Sequence, residues 1–329
     1  MPFEHMDRRR LITLLGAAAS TWPAVVHGQQ PTYPNRTVRI VIGFGAGGGT
    51  DAVARIVAQK LQEVVGGTFL VENKPGASGR LAPDTVAKSA ADGYTLFGAA
   101  PGATTIATAI WDNLPYNILR DFAPISLLSD YPMIVVVSNA HPAHSITELV
   151  AWLKSNPDKA NYASPSPAFT LPIEHFKLKT GTQATPIPYR SSNESITSLL
   201  GGQTTFAFVE TPAVMPQLAA GSLRPLAVTA TARIDELPDL PTLAEAGVPD
   251  VLGGSWFALL APTGTPAGIV HTLETACRQI AASAEFKQRM KSLSSNAIGS
   301  TAAELTARME AEIKRWHAVV KSTNIKFEQ

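Results

Sequence analysis

The chain has 329 residues, of which 45% are hydrophobic and 16% charged, so it can bury a large core and is long enough for two domains. The formal net charge is +1, and the lysines and arginines are spread along the sequence rather than clustered. This distribution argues against a nucleic-acid surface and against a strongly acidic partner.

The first thirty residues have the pattern of a secretory signal peptide, which we place at residues 1–28. Three arginines at positions 8–10 precede an apolar run, and small residues lead up to Gln29. The run from Asp7 to Ile12 also looks like a twin-arginine export signal, although basic leaders often contain such pairs, so the export route stays open. No later stretch approaches the ~18 apolar residues of a membrane span, and we expect an exported, soluble mature protein.

From Val38 onward, short β-branched runs alternate with helical stretches, a pattern that predicts parallel, doubly wound α/β sheets. A first set runs from VRIVI at residues 38–42 to YTLFGA at residues 94–99. A second set runs from MIVVV at residues 133–137 to TTFAFV at residues 204–209. Two α/β units therefore follow one another along the chain.

The last third of the chain carries too few strands for a third domain. A proline-rich, acidic segment leads to the apolar run SWFALLAP and then to two amphipathic helices. We predict that this tail packs back on the first unit, which divides the chain into lobe 1 (33–129 and 232–329) and lobe 2 (130–231). The chain would cross between the lobes near Ser129 and Thr229.

The segment VRIVIGFGAGGGTDAVAR contains a G-x-G-x-x-G match at Gly43, Gly45 and Gly48, between a strand and a helix. A dinucleotide site is one interpretation, because Glu72 ends the next strand, where a ribose-binding carboxylate belongs. Against it, Asp51 in the first helical turn would repel a pyrophosphate, and no hydride-transfer set of His, Cys or Lys follows. A carboxylate fits the loop as well, because glycine lets a ligand approach the amides at the positive helix end.

Further loops between a strand and a helix offer hydroxyl groups and helix amides. The residues selected from them are Pro101, Thr104, Ser164, Ser166, Thr170 and, in the run from Tyr189 to Asn193, Arg190. Ligands of open α/β sheets bind beyond the carboxyl ends of the strands, so two facing units would form a polar cleft. Taken alone, each of these hydroxyl groups is more simply explained as a helix cap, and so is the side chain of Thr50 or Asp51. The recurrence of hydroxyl groups at equivalent loop positions nevertheless favours a shared ligand site.

Many short motifs occur in a fixed order over nearly all of the mature chain. They include GGGTD (47–51), VENKPGA (71–77), ADGYTL (91–96), DFAPIS (121–126), LPTLAEAG (240–247) and SWFALLAP (255–262). In this order they resemble the Bug family, the extracytoplasmic solute receptors of tripartite tricarboxylate transporters. The resemblance implies a two-lobed periplasmic binding protein fold, a periplasmic monomer, a small carboxylate ligand and membrane permease partners, with no catalytic group, cofactor or metal.

The resemblance also places the ligand loops. The first-lobe loop falls on Phe44, Gly45, Ala46, Gly47, Gly48, Gly49, Thr50 and Asp51, and the second-lobe loop falls on residues 164–170. The sequence departs from the family at Thr104 and Thr170, where many relatives have His. It departs again at Val209, where an Asp is common, although Glu210 stands next to it.

Two other functions use a fold of this class. A sensory subunit that presents its closed form to a membrane signalling partner would have the same fold and the same site. A doubly wound enzyme has less support, because the sequence contains no G-x-S-x-G elbow and no Ser/His/Asp set. His141 and His144 lie on a proline-containing loop without further metal ligands, and Cys277, the single cysteine, follows an apolar helical pattern.

Overall fold

Strands form where β-branched and aromatic residues run together, and helices form where apolar residues recur with helical spacing. The computed structural model describes residues 33–323, so the predicted signal peptide lies outside the described residues. The strands are β1 (Val38–Ile42), β2 (Phe69–Asn73), β3 (Thr95–Ala99), β4 (Phe122–Ser138), β5 (Asn161–Ser164), β6 (Thr185–Pro188), β7 (Phe206–Glu210), β8 (Leu223–Val228), β9 (Gly254–Pro262) and β10 (Asn296–Ala297).

The helices are α1 (Gly49–Val65), α2 (Leu81–Ala87), α3 (Thr105–Ile110), α4 (Ile146–Ser155), α5 (Pro167–Thr180), α6 (Ser192–Leu200), α7 (Thr211–Ala219), α8 (Ala267–Ala282), α9 (Ala284–Lys291) and α10 (Ala302–Thr323). Short 3₁₀ turns cover Ala77–Gly79 and Pro101–Ala103. In the described part of the chain, no helix combines the length and apolarity that crossing a membrane requires.

Two sheets share the long strand β4. Its first part pairs with β9 and β10 in a sheet of order β2-β1-β3-β9-β4-β10, up to the pair Pro132 and Gly254. Its second part, from Met133, pairs with β7 and β8 in a sheet of order β8-β4-β7-β5-β6. Strand β4 therefore carries the chain from the first lobe into the second.

Strand direction follows the way in which each strand enters its sheet. Strand β1 is parallel to β2 and β3, and β5 is parallel to β6 and β7, as the alternation of strands and helices predicts. Strands β4, β8 and β9 run antiparallel to their partners, so the prediction of fully parallel sheets is wrong for these strands. Strand β9 enters the first sheet from the second lobe and β4 enters the second sheet from the first lobe, so the crossing rather than a β-α-β connection sets their direction there.

Each lobe has an apolar core, and the core around Phe206 in the second lobe also includes Ile106 of the first lobe. Phe97 and Trp256 are buried in the core of the first lobe. In the second lobe, Val135 on β4 faces one buried cluster with Phe206, and Val136 faces a second cluster on the other side of the sheet. Both faces of this strand are buried, which explains why MIVVV is a continuous apolar run.

The segment after β8 stays with the second lobe. Leu243, Val248 and Val251 are buried in the same cluster as Phe206. Helices α8 and α10 then pack on α1 and α3 of the first lobe. We therefore propose that the second crossing lies at Gly253, so that residues 232–252 belong to lobe 2 rather than to lobe 1 as predicted. The spacing of apolar residues in the sequence does not reveal these buried positions, because they lie in irregular, proline-rich chain.

The runs SITE (145–148) and TAAE (301–304) have the sequence spacing of capping boxes, and they fix the starts of α4 and α10. The Ser145 hydroxyl accepts from the Glu148 amide at 3.2 Å, and the Thr301 hydroxyl accepts from the Glu304 amide at 3.2 Å. The Glu304 carboxylate accepts in return from the Thr301 amide at 2.8 Å. These caps satisfy amides that the first helical turn leaves free.

Candidate functional site

The glycine loop of the first lobe lies against Arg190, Ser191 and Glu210 of the second lobe. The Gly45 amide of the first lobe donates to the Arg190 carbonyl of the second at 2.9 Å. A Cβ at Gly45 would lie 3.2 Å from the Ser191 Cβ, and a Cβ at Gly49 would lie 3.2 Å from the Glu210 Cβ. The lobes are therefore closed on each other at this junction, and the glycines make room for second-lobe side chains.

A second contact between the lobes joins the turn Pro101–Ala103 to the start of α5. A Cβ at Gly102 would lie only 2.5 Å from the Ser166 Oγ. Since real Cβ atoms do not approach so closely, any larger residue at position 102 would force the Ser166 side chain to move. The sequence interpretation selected Pro101 and Thr104 from this loop and missed Gly102, which carries no chemical group to draw notice.

Asp51 makes its polar contacts within the first lobe. Its Oδ2 accepts from the Gly47 amide at 3.0 Å and from Arg55 Nε at 2.9 Å, and its Oδ1 accepts from Asn73 Nδ2 at 2.9 Å. Burial raises the pKa of Asp51, but the hydrogen bonds from Arg55, Gly47 and Asn73 outweigh it and hold the pKa below the ordinary 3.8. We infer that Asp51 positions the glycine loop.

Replacing this carboxylate tests that inference. We expect Asp51→Asn to lower the free energy of unfolding by about 1.5 to 3 kcal/mol, because it loses charge-assisted hydrogen bonds. Chemical denaturation measures the change. Glu72→Gln is the matched control, because the Glu72–Arg39 pair at 3.0 Å is partly exposed to solvent and such pairs contribute only about 0 to 1 kcal/mol. An Asp51→Asn variant as stable as wild type would contradict this positioning role.

Two helices that begin at contacts between the lobes, α1 beside Ser191 and α5 beside Gly102, have no side-chain cap. Helix α1 follows Gly48, which has no side chain, and Ser166 at the start of α5 makes no capping hydrogen bond. Elsewhere Ser145 and Ser283 do cap α4 and α9. The positive ends of α1 and α5 are therefore available to a bound anion.

The hydroxyl of Ser166 is buried without a hydrogen-bond partner, and the residue is 3% exposed. In the same loop, the Ser164 and Thr170 hydroxyls bond each other at 2.5 Å. Buried polar groups are nearly always paired, so an unpaired hydroxyl at a helix start points to a group that binds there. Ser166 is thus the candidate donor of the second lobe.

The remaining predicted residues lie around this junction in different roles. The Thr104 hydroxyl donates to the Ala100 carbonyl at 2.7 Å, within its own loop. Phe44 packs against Gly79, where a Cβ would lie 3.1 Å from the Phe44 ring. Ala46 and Arg190 are exposed, whereas Gly48, Gly49, Thr50, Pro101 and Glu210 are buried.

A groove of about 720 Å³ lies at the hinge, apart from the glycine loop. Its lining includes Pro101 from the predicted set, together with Asp130 and Trp256. Arg308 bridges Asp130 at 3.0 Å and Glu312 at 3.1 Å, and the Trp256 indole donates to Glu312 at 3.0 Å. Since these charges are paired with one another, we place the candidate site at the junction of the lobes instead.

His141, one of the two histidines considered for a metal, has other partners. His141 Nδ1 accepts from the Ala143 amide at 3.1 Å, and the ring packs edge-on against Trp152 at 4.8 Å between centroids. Across residues 33–323, no group of three or more His, Cys, Asp or Glu side chains is arranged to hold a metal ion.

Comparison with known sequences decides the family. A family model described as tripartite tricarboxylate transporter family receptor matches residues 53–325. The chain belongs to this receptor family. The resemblance stated from the motifs is thereby confirmed, and the family is one of periplasmic solute-binding receptors.

Individual members of the receptor family agree in sequence and in fold. The chain is 32% identical to Protein BugT of Bordetella pertussis over 326 residues, which covers 98% of this chain and 100% of BugT. Rpa4515 of R. palustris, solved with adipate, is 34% identical with a TM-score of 0.85, covering 89% of this chain and 99% of Rpa4515. MatC from Rhodopseudomonas palustris, with bound malate, is 29% identical with a TM-score of 0.83, covering 88% and 100%. The two-lobed periplasmic binding protein fold is confirmed.

Proposed function

We propose that this protein captures a small carboxylate in the periplasm and delivers it to the membrane subunits of a tripartite tricarboxylate-type transporter. The observation that carries the proposal is the unpartnered Ser166 hydroxyl, which lies at the uncapped start of α5 against Gly102 of the first lobe. The related structures with adipate and malate support a carboxylate as the ligand class.

The junction explains how capture would work. Carboxylate oxygens would accept hydrogen bonds from amides at the start of α1 and from Ser166, so both lobes would hold one ligand. A ligand held by both lobes stabilises the closed form over the open form and shifts an existing equilibrium. Strand β4 and Gly253, where the chain crosses between the lobes, would form the hinge.

The ligand class can be tested with a thermal-shift screen of mono- and dicarboxylic acids on the mature protein. We expect a matching acid to raise the melting temperature, since a ligand at a hundred times its Kd adds about 2.7 kcal/mol of stability. The diamide of each dicarboxylic acid is the matched control, because it keeps the shape and removes the charge. Equal stabilisation by acid and amide would contradict carboxylate recognition, and bound acid recovered chemically altered would indicate an enzyme.

The affinity is expected to depend weakly on salt. Helix ends and a neutral hydroxyl supply the proposed contacts, and Arg190 at the junction is exposed. Mobile ions screen exposed charges over about 8 Å at physiological ionic strength, but they screen enclosed dipoles much less. Calorimetry at low and at physiological salt measures the effect, and a loss of affinity by orders of magnitude would indicate a basic pocket.

The transport partnership requires a test in cells. We expect deletion of the receptor gene to abolish high-affinity uptake of the acid identified in the screen, and the Ser166→Ala gene to restore uptake only partly. Unchanged uptake, with a lost transcriptional response to the acid, would instead support the sensory alternative.

We also propose that residues 1–28 are removed on export, without assigning the twin-arginine route, and N-terminal sequencing would detect the cleavage.

A further inference from the structure

Glu210 places a carboxyl group between the two lobes. It ends β7 directly before α7, and it is 3% exposed. Its side chain packs on Gly49 of the first lobe, and the Ser192 hydroxyl of the second lobe donates to its Oε2. Separation of the lobes would remove the Gly49 contact and admit water to this carboxyl.

No ion pair of Glu210 occurs among residues 33–323. On α1, the neighbouring charges Asp51 and Arg55 pair with each other at 2.9 Å. At the start of α6, the Glu194 carboxylate accepts from the Arg190 amide at 2.9 Å. The junction therefore provides helix dipoles and a hydroxyl for Glu210 rather than a cation.

The hinge strand β4 adds one more titratable group on this side. Tyr131 is buried, and its hydroxyl lies beside Thr50 and Ser255 without a hydrogen bond of good geometry. Burial and the charge of Glu210 raise the pKa of Tyr131, so this side chain stays neutral at physiological pH. The neighbouring Asp130 pairs with Arg308 at 3.0 Å. Strand β4 therefore supplies no free positive charge.

Desolvation is the main consequence of this placement. Burial raises the pKa of Glu210 from 4.5 to about 7, against the opposing hydrogen bonds from Ser192 and from its own amide. In an open form, water would remove this desolvation, and the two hydrogen bonds, which lie within the second lobe, would hold the pKa of Glu210 at or below the ordinary 4.5. The two forms would then differ in the number of protons that they bind.

We propose that Glu210 is a proton-binding site that favours closure of the lobes, so that carboxylate capture, if the function proposed above is correct, takes up a proton. The stabilisation of the closed form is fully present below pH 4.5 and is lost as the pH rises to about 7. Within that window, the affinity falls by up to about tenfold per pH unit.

A disulfide between the lobes tests the proposal without any ligand. A Cβ at Gly48 would lie 3.7 Å from the Ser191 Cβ, which is within the range of disulfides, and Gly48 has an ordinary φ of −78°. The double variant Gly48→Cys/Ser191→Cys should therefore be locked closed when oxidised. Its reduced form is the matched control, and the native Cys277 is buried.

The readout is an NMR titration of the glutamate carboxyl carbons, in which Glu210 is identified by the signal lost in Glu210→Gln. We expect the Glu210 midpoint to be higher by roughly two pH units in the oxidised form than in the reduced form. Equal midpoints in the two forms, or an oxidised midpoint at the ordinary value, would overturn the proposal.

Calorimetry provides a second measurement on the wild-type sequence. With adipate and malate as probes, binding near pH 6 in buffers of different ionisation enthalpy should take up about one proton in wild type and none in Glu210→Gln. Equal uptake in both proteins would overturn the coupling. If neither acid bound, the proposed function would lose support, while the titration of the locked variant would still decide whether Glu210 binds a proton on closure.

Discussion

Gly48→Val is expected to lower the affinity for the carboxylate at least about 100-fold while the protein stays folded. A Cβ at Gly48 would lie 3.5 Å from the Ser192 amide nitrogen and 3.7 Å from the Ser191 Cβ, so a single methyl fits. The branched carbons of valine would enter the junction and cover amides of α1. One lost charge-assisted hydrogen bond costs about 1.5 to 3 kcal/mol, or about 10- to 150-fold in affinity, and steric exclusion adds to it.

The matched control is Gly268→Val, which places the same side chain near the start of another helix. Gly268 is exposed, and no atom lies within 4 Å of a Cβ there. Calorimetry with the best acid, together with a melting curve, measures both variants. A folded Gly48→Val protein that binds the acid as tightly as Gly268→Val would remove the loop from the site. If the wild-type protein bound NAD and Gly48→Val abolished that binding, the result would instead support the dinucleotide interpretation.

Ser166→Ala is expected to reduce affinity by about 10- to 150-fold, the value of one hydrogen bond to a charged group, without loss of stability. The hydroxyl has no partner in the closed protein, so its removal deletes no internal hydrogen bond. The free energy of unfolding without ligand is therefore expected to stay equal or to rise. Calorimetry and chemical denaturation measure the two quantities separately.

Ser283→Ala is the matched control for this variant. The Ser283 hydroxyl accepts from the Phe286 amide at 3.2 Å and caps α9, away from the junction. Its removal should cost about 1 kcal/mol of stability and leave affinity unchanged. The opposite outcome, in which Ser166→Ala loses stability and keeps affinity, would show that Ser166 is a structural residue.

The sequence predicts the local part of the fold well, because local spacing determines it. The β-branched runs, the helices that follow them and the two capping boxes depend on residues only a few positions apart. Strand direction in β4 and β9 depends on a crossing between lobes, which leaves no periodic signal. The apolar anchors Leu243 and Val248 were hidden for a similar reason, because they lie in irregular chain.

The candidate site was predicted as a set of loops, but not as a set of contacts. The glycines of the first lobe indicate a close approach without saying what approaches. The structure places Ser191, Asn193 and Glu210 there, from loops more than a hundred positions away in the chain. Contacts of that range depend on how the lobes close, which no local pattern encodes.

The same limit applies to hydroxyl groups within one loop. Ser164, Ser166 and Thr170 are equivalent in the run SPSPAFT, and each could cap the helix or bind a ligand. Only the folded geometry pairs Ser164 with Thr170 and leaves Ser166 without a partner. The role of Asp51 also depends on the folded geometry, because its hydrogen-bond partner Asn73 lies on the next strand.

The most direct test of a carboxylate receptor with its site between the lobes is a crystal structure with the best acid bound. We expect a carboxylate oxygen within hydrogen-bonding distance of the Ser166 Oγ, between the starts of α1 and α5, and the lobes in contact at Gly45 and Arg190. An acid bound instead in the hinge groove beside Asp130 and Arg308, with the junction empty, would contradict the account.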